Sequence, residues 1–154
     1  MNTKSKPNII VFFTDQQRWD TSSLHGNPLS LMENFDHYAV EGTHLFNSFT
    51  CQPVCGPARA SLQSGMYATK TGCFKNRIPL KKNIKTLAKY LSKEGYATGY
   101  IGEWHLGSSE PVKKEDRGGY DYWLGSNLLE FTSDAYETYV YDGQNKKLFL
   151  PGYR

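Results

Sequence analysis

The segment "CQPVCGPARASLQSG", residues 51–65, combines a cysteine, a proline and an arginine in a spacing that suits an anion-binding site. Cys55 stands at the predicted start of a helix, where backbone N–H groups and the helix dipole favour negative charge. Pro57 fits the first helical turn because no intrahelical hydrogen bond needs its missing N–H there. Arg59 follows one turn into the helix and can reach back towards residue 55. The segment therefore predicts a reactive group at Cys55, held in an anion-binding nest.

Two further segments supply candidate metal ligands and a proton donor. Asp15 and Gln16 follow the apolar run at residues 9–13, and their oxygen atoms suit Ca²⁺ or Mg²⁺ better than zinc. His105 follows another predicted strand and is a candidate for acting on a leaving group. Because sites in open α/β sheets lie beyond the carboxyl ends of strands, we expect these residues to converge with Cys55 on one site.

Each candidate also has a simpler interpretation. Cys55 taken alone is typical of a buried structural thiol. Arg59 taken alone is typical of a surface residue on a helix. Asp15 could be the cap of a helix that begins near Arg18. The joint spacing of residues 55–59 and the strand-end placement of the others favour a functional site. The remaining histidines follow no pattern and are interpreted as structural or surface residues: His25, His37 and His44.

Positioning these residues requires strands that alternate with helices. Residues 9–13 form a continuous apolar run, typical of a strand buried on both faces of a parallel sheet. A hairpin is predicted to turn at Asp142 and Gly143. The alternation predicts an α/β sandwich in which a mostly parallel sheet lies between helices. The other predicted strands lie within 43–49, 96–102 and 120–126, and the predicted helices within 30–42, 58–65 and 85–95.

Composition limits the class of protein. The chain has 154 residues, enough for one domain with a hydrophobic core, and 38% of them are hydrophobic. The net charge of +3 is small and the charges are interspersed, which argues against a nucleic-acid surface but tolerates an anionic substrate. No apolar run is long enough to span a bilayer, and three cysteines predict no disulfide framework. We therefore predict a cytoplasmic protein that binds neither nucleic acid nor membrane.

Three segments together resemble the type I sulfatases, a formylglycine-dependent family of the alkaline-phosphatase-like superfamily. "CGPAR" fits the C-x-P-x-R signature of that family, and "PVCGPARASLQSG" is similar to the usual extension of the signature. "PNIIVFFTDQQRWD" resembles the family's opening strand with its metal-binding acidic end, and "GYATGYIGEWHLG" resembles its G-K-W-H-L-G segment. The three segments occur in the family's order across residues 7–107.

The resemblance implies an alkaline-phosphatase-like sandwich and the hydrolysis of a sulfate ester. A separate formylglycine-generating maturase would oxidise Cys55 to formylglycine, whose hydrate attacks sulfur, expels the alcohol and then collapses to release sulfate. Asp15, Gln16 and the modified Cys55 would bind a divalent cation, usually Ca²⁺, with Mg²⁺ or Mn²⁺ as alternatives. Arg59 would hold the hydrate, and His105 would assist at the sulfate or the leaving group.

The sequence departs from the family pattern in residue type and in length. Glu103 replaces the lysine that contacts sulfate, so it either repels an anionic substrate, turns away from the site or contacts the metal. Asp15 and Gln16 replace two adjacent acids. Family members are several times longer, and nothing after Gly107 resembles their second half. We therefore expect residues 1–154 to be the amino-terminal part of a sulfatase catalytic domain, with its carboxyl-terminal part absent.

Other functions stay open beside a sulfuric ester hydrolase. The truncated length and Glu103 would also suit an inactive remnant of a sulfatase. The Asp-Gln pair resembles the branch that contains choline sulfatases and phosphonate monoester hydrolases, so a phosphonate or phosphodiester hydrolase is the further alternative. A binding module for sulfated glycans is supported only by the mild positive charge.

Overall fold

A computed structural model describes residues 6–134 and 136–151 of the chain, and the ends of the predicted domain, 1–5 and 152–154, lie outside these ranges. The chain forms two compact units, an amino-terminal unit (Met1–Ser48) and a sheet unit (Phe49–Arg154). In the described ranges, no helix has the length and apolar character needed to cross a membrane.

The amino-terminal unit is built around one helix, α1 (Glu33–Glu41), which the sequence predicts. The helix ends at Gly42, whose N–H donates to the carbonyl oxygen of Tyr38. The Asp36 carboxylate on α1 accepts hydrogen bonds from the Ser22 hydroxyl at 2.5 Å and from the Ser23 N–H at 3.0 Å. The hydrogen bond from Ser22 holds the pKa of Asp36 below its usual range. These bonds fasten α1 to the two short 3₁₀ turns that precede it, Trp19–Thr21 and Ser23–His25.

The two strands predicted at residues 9–13 and 43–49 are not formed, and these predictions were wrong. Residues 9–13 have no regular secondary structure, and Ile10 and Phe12 are each 89% exposed. An apolar run becomes a strand only when a neighbouring strand takes up its backbone N–H and C=O groups. Within the described ranges, no strand pairs with either run. Apolar composition alone therefore misled the prediction.

The sheet unit contains three helices followed by four strands. The helices are α2 (Cys55–Ser64), α3 (Ala68–Thr71) and α4 (Leu87–Lys93). The strands are β1 (Gly99–Glu103), β2 (Tyr122–Ser126), β3 (Thr138–Asp142) and β4 (Lys147–Leu150), in the spatial order β1-β2-β3-β4.

The expected α/β class is confirmed, with strand directions that differ along the sheet. β1 and β2 are parallel, whereas β3 runs antiparallel to both of its neighbours. The mostly parallel sheet expected from the sequence is thus limited to the β1–β2 pair in the described residues. The reason is that β3 and β4 form the predicted hairpin, which can only be antiparallel, and this hairpin adds to the edge of β2.

Local signals set the ends of the two longer helices in the sheet unit. Val54, just before α2, is extended, and α2 ends at Gly65, whose φ of 68° suits a residue without a β-carbon. The Thr86 hydroxyl caps α4 by accepting a hydrogen bond from the Lys89 N–H at 3.3 Å. Gly65 is a stop signal that the sequence shows, whereas the Thr86 cap is a feature of the structure.

Aromatic rings form the core beside β1 and β2. Trp104 and Trp123 are buried, and Tyr100 contacts both, edge to face with Trp104 at 5.0 Å and stacked on Trp123 at 5.3 Å. Burial raises the pKa of Tyr100 to about 12. The guanidinium of the buried Arg117 lies over the Trp123 ring and donates to the Gly143 carbonyl oxygen at 2.7 Å. This arginine thereby fixes the β3–β4 turn against the core.

Replacing Gly125 by alanine is expected to destabilise the sheet unit. A β-carbon at Gly125 would lie 2.4 Å from the carbonyl oxygen of its β1 partner, Gly102, so the ladder would have to shift. We expect a loss of about 1–3 kcal/mol in the free energy of unfolding, measured by urea denaturation. Gly143→Ala is the control, because a β-carbon there meets nothing within 4 Å. Equal stabilities of the two variants would contradict the described β1–β2 register.

Candidate active site

Cys55 is the first residue of α2, which begins three residues before the helix predicted within 58–65. Its thiol is free and half-buried. Pro57 occupies the third helical position, where the missing N–H costs no intrahelical hydrogen bond. The first turn of a helix leaves backbone N–H groups without helical partners, so the thiol stands next to an arrangement that favours negative charge.

Asn76 fixes the start of α2, and sequence patterns gave no signal for it. The Gly56 N–H donates to the Asn76 side-chain oxygen at 2.8 Å. A β-carbon at Gly56 would lie 3.1 Å from that oxygen and 3.7 Å from the carbonyl oxygen of His105. The cysteine-bearing turn therefore packs closely against Asn76 and the backbone of His105.

Arg59 is buried and forms an ion pair with Glu103. The Arg59 Nη2 lies 2.5 Å from Glu103 Oε2, and Nη1 donates to the Glu103 carbonyl oxygen at 2.6 Å. The two side chains are only 9% and 14% exposed. The interpretation of Arg59 as a surface residue was therefore wrong, because its guanidinium extends inward from α2 to the end of β1.

Glu103 also binds the loop that follows β2. Its Oε1 accepts a hydrogen bond from the Leu129 N–H at 3.1 Å and lies 3.9 Å from His105 Nδ1. The sequence suggested that Glu103 repels substrate, turns away from the site or contacts the metal, and it did not suggest an ion pair with Arg59. The carboxylate faces the inside of the sheet unit, where it offsets the charge of the arginine.

His105 lies two residues beyond the end of β1, at the strand end that the sequence predicts. The Trp104 N–H donates to Ser126 O at 2.8 Å and the His105 N–H to Asn127 O at 2.7 Å, so pairing with the β2 segment continues past the strand. His105 has a φ of 55°, a conformation that a residue other than glycine seldom adopts. Its side chain is 9% exposed.

A second carboxylate, Glu110, holds the same loop. Its Oε2 accepts hydrogen bonds from the N–H groups of Asn127 at 2.7 Å and Leu128 at 3.2 Å. Burial raises the pKa of Glu110. The Asn127 side-chain oxygen in turn accepts from the Gly107 N–H at 2.9 Å. Sequence reasoning missed both Glu110 and Asn127, because their partners are distant backbone groups that no local pattern indicates.

Asp15 and Gln16 lie at a bend in the amino-terminal unit, and both are exposed. Gln16 has a φ of 47°, a strained conformation that is frequent at functional sites. A carboxylate and an amide oxygen are ligands that fit Ca²⁺ or Mg²⁺. In the part of the chain that the structure describes, no three His, Cys, Asp or Glu side chains form a cluster. The cation set of Asp15, Gln16 and Cys55 stays a prediction.

The fold and the site together define an α/β protein with a cysteine at a helix start and a buried arginine one turn away. The family model Sulfatase matches residues 7–152, and the chain belongs to the sulfatase family.

Curated relatives agree with this assignment. The chain is 39% identical over 132 residues to the uncharacterized sulfatase YidJ of Escherichia coli, covering 80% of this chain and 26% of the relative. It is 36% identical over 147 residues to an ulvan-active sulfatase of Formosa agariphila, covering 94% of this chain and 28% of that protein. The chain thus spans about a quarter of the length of the curated relatives that it matches.

Solved structures share the fold. The structure of BT4656 in complex with its substrate D-glucosamine-2-N,6-O-disulfate matches with a TM-score of 0.82 and 28% identity, over 97% of this chain and 28% of that chain. The yidJ protein of Bacteroides fragilis matches with a TM-score of 0.79 and 23% identity, over 90% of this chain and 35% of that chain. The α/β fold of the described residues is therefore the fold of sulfatase structures.

The variant Glu103→Gln is expected to lower the free energy of unfolding by about 1.5–3 kcal/mol, because the buried Arg59 loses its charged partner. Urea denaturation at neutral pH measures the loss. Glu115→Gln is the control, since the Lys82–Glu115 pair at 3.6 Å is more than half exposed and contributes at most about 1 kcal/mol. Equal effects of the two substitutions would show that the Arg59–Glu103 pair does not stabilise the fold.

Proposed function

We propose that this chain supplies the amino-terminal part of the active site of a sulfuric ester hydrolase, with Cys55 as the residue that a maturase converts to formylglycine. The position of Cys55 as the first residue of α2 carries the proposal. Arg59 follows one turn later, and the backbone of His105 packs against the same turn. Glu103 lies 2.5 Å from Arg59 Nη2 and 3.9 Å from His105 Nδ1, which supports a shared role for the guanidinium and the imidazole.

The proposed substrate class is a sulfated saccharide. The relatives include an ulvan-active sulfatase and an N-acetylglucosamine-6-O-sulfatase of Bacteroides thetaiotaomicron, and BT4656 was solved with a disulfated glucosamine. A sulfate ester is an anion, which the backbone N–H groups at the start of α2 would favour.

Formylglycine at position 55 would supply a nucleophilic oxygen. A Ca²⁺ bound by the oxygen atoms of Asp15 and Gln16 would supply positive charge that stabilises an anion. The half-buried setting of Cys55 leaves its side chain accessible at the helix start, which suits such a modification. Arg59 would orient the modified residue, and His105 would move a proton at the leaving oxygen.

We also propose a cytoplasmic location. All three cysteines are free, which suits a reducing compartment.

An inactive remnant is the second candidate, and the Arg59–Glu103 pair is the observation that favours it. A sulfatase site must attract an anion, whereas Glu103 neutralises a cationic side chain of this site at 2.5 Å. Such a chain would keep the fold of the family without turning over a sulfate ester.

Conversion of Cys55 to an aldehyde is the expected result when the chain is co-expressed with a formylglycine-generating maturase. Mass spectrometry of the tryptic peptide and labelling by a hydrazide probe both measure it. Cys55→Ala should abolish labelling, whereas Cys51→Ala should retain it, since Cys51 precedes α2. Labelling at Cys51, or none at either position, would contradict the proposal.

Sulfate affinity tests whether Glu103 masks Arg59. In the variant Glu103→Gln the Arg59 guanidinium loses its charged partner and can donate a charge-assisted hydrogen bond to sulfate. A bond worth about 1.4 kcal/mol should tighten sulfate binding roughly tenfold. Isothermal titration with inorganic sulfate measures the change, with Glu115→Gln as the remote control. Unchanged affinity in both variants would reject the masking role.

Parallel assays with aryl sulfate and aryl phosphonate esters distinguish the sulfatase from the phosphonate hydrolase.

A further inference from the structure

We propose that His25 and His44 form a binding site for a divalent late transition-metal ion, best fitted by Cu²⁺. The two Nε2 atoms lie 3.0 Å apart within the amino-terminal unit. The site uses none of the residues assigned above to sulfate ester hydrolysis. It also differs from the proposed calcium site in chemistry, because its ligands are imidazole nitrogens instead of oxygens.

A backbone carbonyl fixes the tautomer of His25. Its Nδ1 lies 2.5 Å from the carbonyl oxygen of Trp19. A carbonyl oxygen only accepts hydrogen bonds, so Nδ1 must carry the proton. The lone pair of the neutral ring is therefore on Nε2, which is directed at His44. Metal-binding histidines typically have this arrangement, in which the ring nitrogen remote from the metal donates to a carbonyl or a carboxylate.

Aromatic neighbours hold both imidazoles in place. The Trp19 ring stacks on His25 with a centroid distance of 4.1 Å and an interplanar angle of 6°. Phe46 contacts His25 edge to face at 5.2 Å, and Phe35 contacts His44 in the same way at 6.2 Å. The Trp19 indole N–H also donates to the Phe46 carbonyl oxygen at 3.2 Å. Such packing preorganises the two ligands before an ion arrives.

The separation of the two nitrogens favours a tetragonal ion. With metal–nitrogen bonds of about 2.0–2.1 Å, nitrogens 3.0 Å apart subtend an angle of about 95° at the metal. This angle is close to that between adjacent ligands of a tetragonal Cu²⁺ or Ni²⁺ ion and is smaller than the tetrahedral angle of zinc. Cu²⁺ also binds nitrogen ligands most strongly among the first-row divalent ions.

Two imidazoles fill only part of the coordination sphere. Across the described residues, no third His, Cys, Asp or Glu side chain joins them. Water or a small exogenous ligand would occupy the other positions. Asp20, the acid nearest to His25 in sequence, forms an ion pair with Arg18 at 2.5 Å. The competing account of the 3.0 Å contact is a simple hydrogen bond from His44 to His25, which involves no metal.

The test is a Cu²⁺ titration of the tag-free 154-residue chain with the accessible Cys51 and Cys55 alkylated and Ca²⁺ in excess. The readouts are electron paramagnetic resonance, which detects nitrogen ligands, and the broadening of individual histidine ring signals in NMR spectra. Thermal unfolding with and without Cu²⁺ adds a third readout, because an ion that binds the folded chain raises Tm. Far-ultraviolet circular dichroism verifies that each variant is folded.

The variants are His25→Gln, His44→Gln and His37→Gln. Each of the first two should weaken Cu²⁺ binding at least tenfold and remove the rise in Tm. His37→Gln is the control, because His37 and Glu41, 3.7 Å apart on α1, are a separate pair of possible metal ligands in the same unit. Absence of binding, or binding that only His37→Gln removes, would overturn the proposal. A Gln variant that fails to fold is replaced by the Asn variant at the same position.

Discussion

The ion pair between Arg59 and Glu103 is the contact through which the sheet unit holds its candidate site together. It joins side chains that are 44 residues apart in sequence, one on α2 and the other at the end of β1. The second carboxylate oxygen of Glu103 extends the connection to the backbone of Leu129. Because both charges have left water, the pair gains attraction but also loses hydration. Its main effect is geometric, since it sets where the cysteine-bearing helix meets the sheet.

The same ion pair sets the charge of the site. Arg59 is the cationic group nearest in sequence to Cys55, and its guanidinium already holds a carboxylate at 2.5 Å. A sulfate ester would therefore compete with Glu103 for this arginine. The Gly56 N–H already donates to Asn76 and Pro57 has no N–H, so the attraction that the start of α2 offers an anion comes mainly from the helix dipole. The ion pair and the proposed role of Arg59 at a sulfate site are thus opposed in this chain, whereas a lysine at position 103 would add to its charge.

Local signals explain which parts of the molecule were predictable. Gly65 is a helix stop, and the segment at 85–95 has one apolar face and ends in Gly95, so α2 and α4 follow from the sequence. His105 follows the strand predicted at 96–102, so its position beyond β1 was predictable. Residues 9–13 were mispredicted because a strand also depends on a partner that local composition does not reveal. The contacts of Asn76 and the direction of Glu103 depend on residues distant in sequence, so no spacing rule indicates them.

The placement of the three tryptophans provides the chain with separate optical probes. Trp104 and Trp123 are 0% and 2% exposed within the core of the sheet unit, whereas Trp19 is 53% exposed and stacks on His25. Buried indoles emit at shorter wavelengths than hydrated ones, so the blue side of the fluorescence spectrum reports on the sheet unit. The red side reports on the surroundings of Trp19. A paramagnetic ion or a proton on the stacked imidazole would quench the Trp19 emission, so one spectrum can follow both regions of the molecule.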